Sequence, residues 1–246
     1  MKTKNLGIIA GIVITVAIIG AMTTNNNSSD TVDKLAVDFE TVDVLLKNNE
    51  RVFVVDIRSA DQYQKGHIVG ASHDILISDT LEKRVKTIQN RLPEIASTYN
   101  IVLVDDDTTD AKIAAQTMTE MGIQTFYLDG GMASLSENLE SSSQIVINSQ
   151  ELSQKLAAND DIFLLDVREP DELLQSKIDG SVNIPLAEVF EQNRLDDIPK
   201  DKSVVVICGS GNRATIATYA LAQEGINFQV LEGGMNAWTS FQESGI

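Results

Sequence analysis

The sequence predicts an α/β fold built twice in tandem, each copy a mostly parallel sheet with helices on both faces, after an N-terminal hydrophobic helix. Three observations predict it. The chain repeats itself. Each copy alternates short β-branched runs with stretches of helical period. A polar segment separates an apolar leader from the rest. Strand–helix alternation of this kind favours a parallel sheet covered by its own crossover helices.

The repeat sets the organisation. "VFVVDIRSADQYQKGHIVGA" (52–71) matches "IFLLDVREPDELLQSKIDGS" (162–181), pairing Asp56 with Asp166, Arg58 with Arg168 and Gly70 with Gly180. "IVLVDDDTTDAKIAAQTMTEMGIQTFYLDGGM" (101–132) matches "VVVICGSGNRATIATYALAQEGINFQVLEGGM" (204–235) without a gap. Each copy spans roughly a hundred residues, the size of a domain and not of a solenoid unit. In the first copy the strands are read at Val52–Ile57, Ile101–Val104 and Thr125–Leu128, with a helix over Ala111–Met121. In the second they are read at Ile162–Val167, Val204–Ile207 and Phe228–Leu231. "ENLESSSQ" (137–144) reads as the connector, which sets domains at 37–140 and 145–246.

The N-terminus has Lys2 and Lys4, then an uncharged apolar run from Leu6 to Met22. It is long for a signal-peptide core and at the short limit for a spanning helix. Residues 1–24 are therefore expected to be a signal peptide or signal-anchor helix in contact with the membrane, and 25–36 a polar linker. The lysines come first, which places the rest of the chain outside the cytoplasm, anchored or secreted.

Composition narrows the function. The net charge is -17 and the apolar content 43%. Such a chain builds packed cores and repels phosphate backbones, so a nucleic-acid partner is not expected. The one cysteine excludes an internal disulfide, and with only two histidines, His67 and His73, no metal site is expected. Nothing in the sequence calls for a cofactor.

That one cysteine, Cys208, lies just past a β-branched run and just before a helical pattern. In open parallel sheets the ligand crevice lies beyond the carboxyl ends of the strands. The loop Gly209-Ser210-Gly211-Asn212 can curl so that its N–H groups converge on an anion, and the helix start and Arg213 add positive charge. All three favour a thiolate, the nucleophilic form, over a buried inert thiol. In the first copy Asp105 stands in place of Cys208 and Asp110 in place of Arg213, with Asp105 to Asp107 consecutive. A solvated acidic loop is the plain reading of these carboxylates; a hard-cation site is the alternative.

The second copy resembles a rhodanese domain, on "DVREPDE", "GSVNIP", "CGSGNR" and "LEGGMNAW", a span from Asp166 to Trp238. The resemblance implies a sulfurtransferase. Cys208 would carry a sulfane sulfur as a persulfide, taken from a small anionic donor such as thiosulfate and passed to a thiol, a cyanide-like acceptor or an acceptor protein. Gly209, Ser210, Gly211, Asn212 and Arg213 would bind donor and persulfide. The first copy resembles the inactive half of two-domain rhodaneses. Asp166 and Arg168 are read as a structural ion pair. Leu173-Leu174 and "SKI" depart from the family's acidic–aromatic pair and "GHI", which the first copy keeps better in "DQYQKGHI". Two rival functions stand beside this one: a tethered, non-catalytic binding module, and a cysteine phosphatase. The phosphatases of this fold enclose one more residue between cysteine and arginine than Gly209–Asn212.

Overall fold

The computed structural model describes residues 33–48, 50–76, 78–143 and 145–245. The N-terminal segment read above as a signal or anchor helix lies outside them. Among the described residues no helix is long and apolar enough to cross a membrane.

The first half runs β1 (Ala36–Val37), α1 (Phe39–Lys47), β2 (Val52–Asp56), α2 (Ala60–Lys65), β3 (His67–Ile68) and β4 (Ser72–His73). It continues with α3 (Ser78–Arg91), α4 (Pro93–Thr98), β5 (Asn100–Val104), α5 (Thr109–Glu120), β6 (Thr125–Leu128) and β7 (Leu139–Glu140). The second half runs β8 (Val146–Ile147), α6 (Ser149–Ala158), β9 (Ile162–Asp166), β10 (Val182–Asn183) and α7 (Leu186–Val189). It closes with α8 (Gln192–Leu195), β11 (Ser203–Ile207), α9 (Asn212–Gln223), β12 (Phe228–Leu231) and α10 (Gly234–Ser244).

Each half holds a five-stranded parallel sheet of the same topology, β1-β6-β5-β2-β4 and β8-β12-β11-β9-β10. The central pairs have equivalent registers, with Val54 opposite Val102 and Leu164 opposite Val205. Local signals start the helices. Asn148 and Glu151 form a capping box at α6, and Ser59 and Gln62 form one at α2. The connector differs from expectation. Its Leu139 and Glu140 pair antiparallel with Ile68 and His67, so it begins as a strand of the first half.

Side chains alternate across each strand and bury both faces of each sheet. In the first half Val52, Val54, Val102 and Phe126 pack with Val42 of α1. Their neighbours Phe53, Val55, Ile101 and Leu103 face Val85 and Ile88 of α3 and Met118 of α5. In the second half Leu164, Val205 and Leu231 pack with Leu152 of α6 and Trp238 of α10. Leu165, Val204 and Val206 join Ala214, Ala217 and Leu221 of α9 in the same core as Phe53 and Val85.

The two halves therefore share one continuous core. α9 is buried on almost every side, from Ile216 through Ala222. A helix apolar all round is a buried helix, and its alanines allow close approach. It leaves the Cys208 loop wedged between its own sheet and the first half.

Candidate functional site

Cys208 sits at the carboxyl end of β11, the central strand of the second sheet, and is 1% exposed. Burial alone fits an inert thiol that ends a strand. The loop geometry shows more. The Gly211 N–H donates to Cys208 Sγ at 3.1 Å. Gly211 has φ 94°, a left-handed conformation that side chains rarely adopt, and it turns the chain into α9. The loop is braced from α10, where Met235 N–H donates to the Cys208 carbonyl at 2.7 Å and Asn236 N–H to the Gly209 carbonyl at 3.0 Å. Only glycine fits at 234, because a Cβ there would lie 2.3 Å from the Cys208 carbonyl oxygen.

The predicted site residues divide by task. Gly209 and Ser210 form the outer loop, with Ser210 exposed. Asn212 turns its side chain away, toward the first half, where its Nδ2 donates to Thr87 Oγ1 at 2.7 Å. Arg213 makes a two-pronged pair with Glu172, Nη1 to Oε2 at 2.5 Å and Nη2 to Oε1 at 2.7 Å.

Sequence reasoning missed Glu172. The repeat sets it opposite Gln62 and sets Leu173 opposite Tyr63, so the acidic member of the family's pair is kept and only the aromatic one is lost. The bonds from Arg213 hold the Glu172 carboxyl down at about 2, against the opposing effect of burial; the Glu169 N–H and the charge of Arg168 add to the lowering. Glu172 in turn raises Arg213 above its ordinary value, and the Cys208 charge adds to that.

Asp166 and Arg168 form a buried, two-pronged ion pair, and Arg168 Nη2 also donates to the Ser176 carbonyl at 2.8 Å. Asp56 and Arg58 repeat it in the first half, with Gly66 as the carbonyl partner. A pair kept in both halves, with its donors spent on the neighbouring carboxylate and a backbone carbonyl, is scaffold.

The first half folds the same loop around a different side chain. Met132 and Ala133 brace the Asp105 and Asp106 carbonyls as Met235 and Asn236 brace those of Cys208 and Gly209. The buried Asp105 carboxylate accepts from three backbone amides: Thr108 at 2.6 Å, Asp110 at 2.8 Å and Ala111 at 2.9 Å. The nest is thus filled by the chain's own anion. The three aspartates do not converge on a cation. Asp106 accepts from Gln62 Nε2 at 2.6 Å, and Asp107 caps Thr109 N–H at 3.1 Å. Among the described residues no cluster has the makings of a metal site.

Comparison with known proteins fits this geometry. The model of the rhodanese-like domain matches twice, over residues 39–138 and 148–241. The chain belongs to the rhodanese-like family. A sulfurtransferase of Allochromatium vinosum is 39% identical over 93 residues, 37% of this chain and 85% of that protein. A putative sulfurtransferase of Bacillus subtilis, YtwF, is 34% identical over 92 residues, 37% of this chain and 87% of that protein. Among solved structures, a rhodanese-related protein from Thermoplasma volcanium is 36% identical, covering 39% of this chain and 91% of that one at a TM-score of 0.36. The rhodanese-like chain described here therefore sits among proteins named for sulfur transfer, with the rhodanese domain present twice and a cysteine loop in the second copy alone.

Proposed function

We propose that this protein is a sulfurtransferase that carries a sulfane sulfur on Cys208. The observation that carries the reading is the occupied nest of the first half. Asp105 Oδ atoms stand two bonds from Cβ, and so would the terminal sulfur of a cysteine persulfide. The amides that Thr108, Asp110 and Ala111 direct at Asp105 correspond in the second half to those of Gly211, Arg213 and Ala214. The first copy thus displays, as a carboxylate, the anion that the second copy would hold as a persulfide. Oriented backbone amides at a helix start stabilise such an anion without reorganising.

With thiosulfate as donor the steps balance. The Cys208 thiolate attacks the outer sulfur, the S–S bond of thiosulfate breaks, and sulfite leaves with the electron pair. A nucleophilic acceptor, a thiolate or cyanide, then attacks the outer sulfur of the persulfide, and Cys208 departs as a thiolate. No cofactor takes part. Arg213, neutralised by Glu172, orients the loop and adds only local positive charge. That pairing also disfavours the phosphatase reading, in which the arginine must be given to phosphate. The first half, with no cysteine and its nest filled, supplies a packing partner; this supports the binding-module alternative for that half alone. The test is release of thiocyanate from thiosulfate and cyanide by the full chain. Turnover that vanishes in Cys208→Ser supports the reading; turnover that persists in it, or none in the folded wild type with thiosulfate or persulfide donors, removes it.

A further inference from the structure

A chain of polar side chains crosses from the first half to the Cys208 loop. Asp74, just past β4, and Arg84 of α3 form a buried pair, Nε to Oδ2 at 2.5 Å and Nη2 to Oδ1 at 2.9 Å. Tyr219 of α9 donates its hydroxyl to Asp74 Oδ2 at 2.7 Å. The remaining Arg84 nitrogen, Nη1, donates to Asn212 Oδ1 and, at 3.2 Å, to the Asn212 carbonyl. Thr87, one turn along α3, completes the clasp by accepting from Asn212 Nδ2. Both polar ends of the Asn212 amide and its backbone carbonyl are thereby held by α3. Asn212 stands between Gly211, whose N–H reaches the sulfur, and Arg213, whose side chain pairs with Glu172.

A buried arginine is costly unless its charge and donors are used. The Asp74 pair takes two of its five N–H donors, and both of those on Nη1 are aimed at Asn212 in the loop of the other half. A solely structural interdomain contact needs no such placement, and the exposed Arg91–Glu169 pair at 2.7 Å shows what an ordinary one looks like here. Burial pulls the Arg84 guanidinium down, yet Asp74, Tyr219 and Cys208 together hold it above its ordinary value.

We propose that Arg84 is a positioning residue for sulfur transfer: from the half that lacks a nucleophile, it fixes Asn212, and through it the amides around Cys208. The proposal rests on the sulfur-transfer reading for its meaning, but its test does not. It explains why a half with no cysteine remains fused to the active one. The charged and titratable groups at the loop are then Arg213, Glu172, Glu169 and Arg168 from its own half, and Arg84 with Asp74 and Tyr219 at the seam.

Because Cys208 is the only cysteine, alkylation by iodoacetamide reads it without interference. The experiment measures alkylation rate against pH, thiocyanate formation and melting temperature in the full chain. The variants are Arg84→Gln, Asp74→Asn/Arg84→Gln, which leaves no unpaired buried charge, Arg84→Lys and Arg91→Ala. The expected result is a pH profile moved to higher pH in Arg84→Gln and in the double variant, with kcat down about tenfold and KM for thiosulfate changed far less. Arg84→Lys is expected to restore the profile in part. Arg91→Ala is expected to match wild type.

Unchanged profiles in folded Arg84 variants overturn the proposal, as does an equal effect in Arg91→Ala, which would make docking alone responsible. If the Arg84 variants do not fold, Thr87→Val decides, since it removes only one bond to Asn212: an about two- to tenfold slower alkylation, on the order of one hydrogen bond's worth, supports the proposal and an unchanged rate overturns it. The alkylation profile reports on the loop whether or not thiosulfate proves to be a donor, so failure of the proposal is distinguishable from failure of the sulfur-transfer reading.

Discussion

The two nest loops of this molecule, 105–110 and 208–213, have the same backbone and opposite chemistry. Both follow the central strand of a parallel sheet, both are braced from a Gly-Gly-Met segment, and both open a long helix. One encloses a carboxylate that satisfies three amides permanently. The other encloses a sulfur that accepts from one amide, that of Gly211. An anion nest is thus a neutral piece of architecture. The side chain at its floor decides whether it is a finished structural feature or a site awaiting an anion.

The comparison can be broken most severely by making the halves alike. Cys208→Asp is expected to fold, to melt no lower than wild type because the carboxylate fills the nest, and to lose sulfur transfer entirely. Calorimetry and the thiocyanate assay check both parts. A variant that melts well below wild type would mean that the second nest does not accept the first one's anion.

A smaller effect concerns the arginine that the first half lacks. Arg213→Ala leaves the Glu172 carboxylate without its cation beside the loop and is expected to lower kcat/KM for thiosulfate by about 10–100-fold, because the bared charge repels an anionic donor. Adding Glu172→Gln is expected to recover part of the loss, since it removes the repelling charge. Strictly additive losses in that double-mutant cycle would deny the coupling seen between the two side chains.

The same pair makes a pH prediction. Glu172 is held at about 2, below its ordinary 4.5. A depressed carboxyl stabilises the fold above its unfolded value, and this contribution fades as pH falls toward the folded one. The stability gap between wild type and Glu172→Gln is therefore expected to be full at pH 7 and to shrink between pH 4.5 and 2. Denaturant melts at pH 7 and pH 2.5 measure it; a gap that widens in acid contradicts the pairing.

The smallest expected effect is at Thr108, which holds in the first loop the left-handed φ of 81° that Gly211 supplies in the second. A β-branched residue there is strained by about 1–3 kcal/mol, part of which glycine returns as extra freedom of the unfolded chain. Thr108→Gly is expected to stabilise the protein by up to about 1 kcal/mol with transfer unchanged.

Much of this was legible in the sequence, for identifiable reasons. Strands such as Val52–Asp56 and Ser203–Ile207 are β-branched runs bounded by turns, and the repeat confirmed each by the other. Cys208 stood out because glycines and a helix pattern follow it. Glu172 did not, because its partner Arg213 is 41 residues away and a departure from the family's aromatic residue drew attention one place too far along. Arg84 was hidden for a different reason. It lies on α3, for which the second half has only the short α7 and α8, so the repeat had nothing to compare it with. The stripe Leu81, Val85, Ile88 and Leu92 does announce a buried helix face, and Arg84 on its edge was the available signal. The strand in the connector escaped because Leu139 and Glu140 pair with only Ile68 and His67, too short a run for alternation to show.

The central claim is that the second nest is built to hold a sulfur anion on Cys208. Intact mass of the reduced full chain, before and after thiosulfate, tests it most directly. The account predicts a protein heavier by one sulfur atom, restored to its starting mass by cyanide or a thiol, with no change in Cys208→Ser. A folded, reduced wild type that gains no sulfur from thiosulfate or from a small persulfide, or a Cys208→Ser protein that gains it equally, would contradict the account.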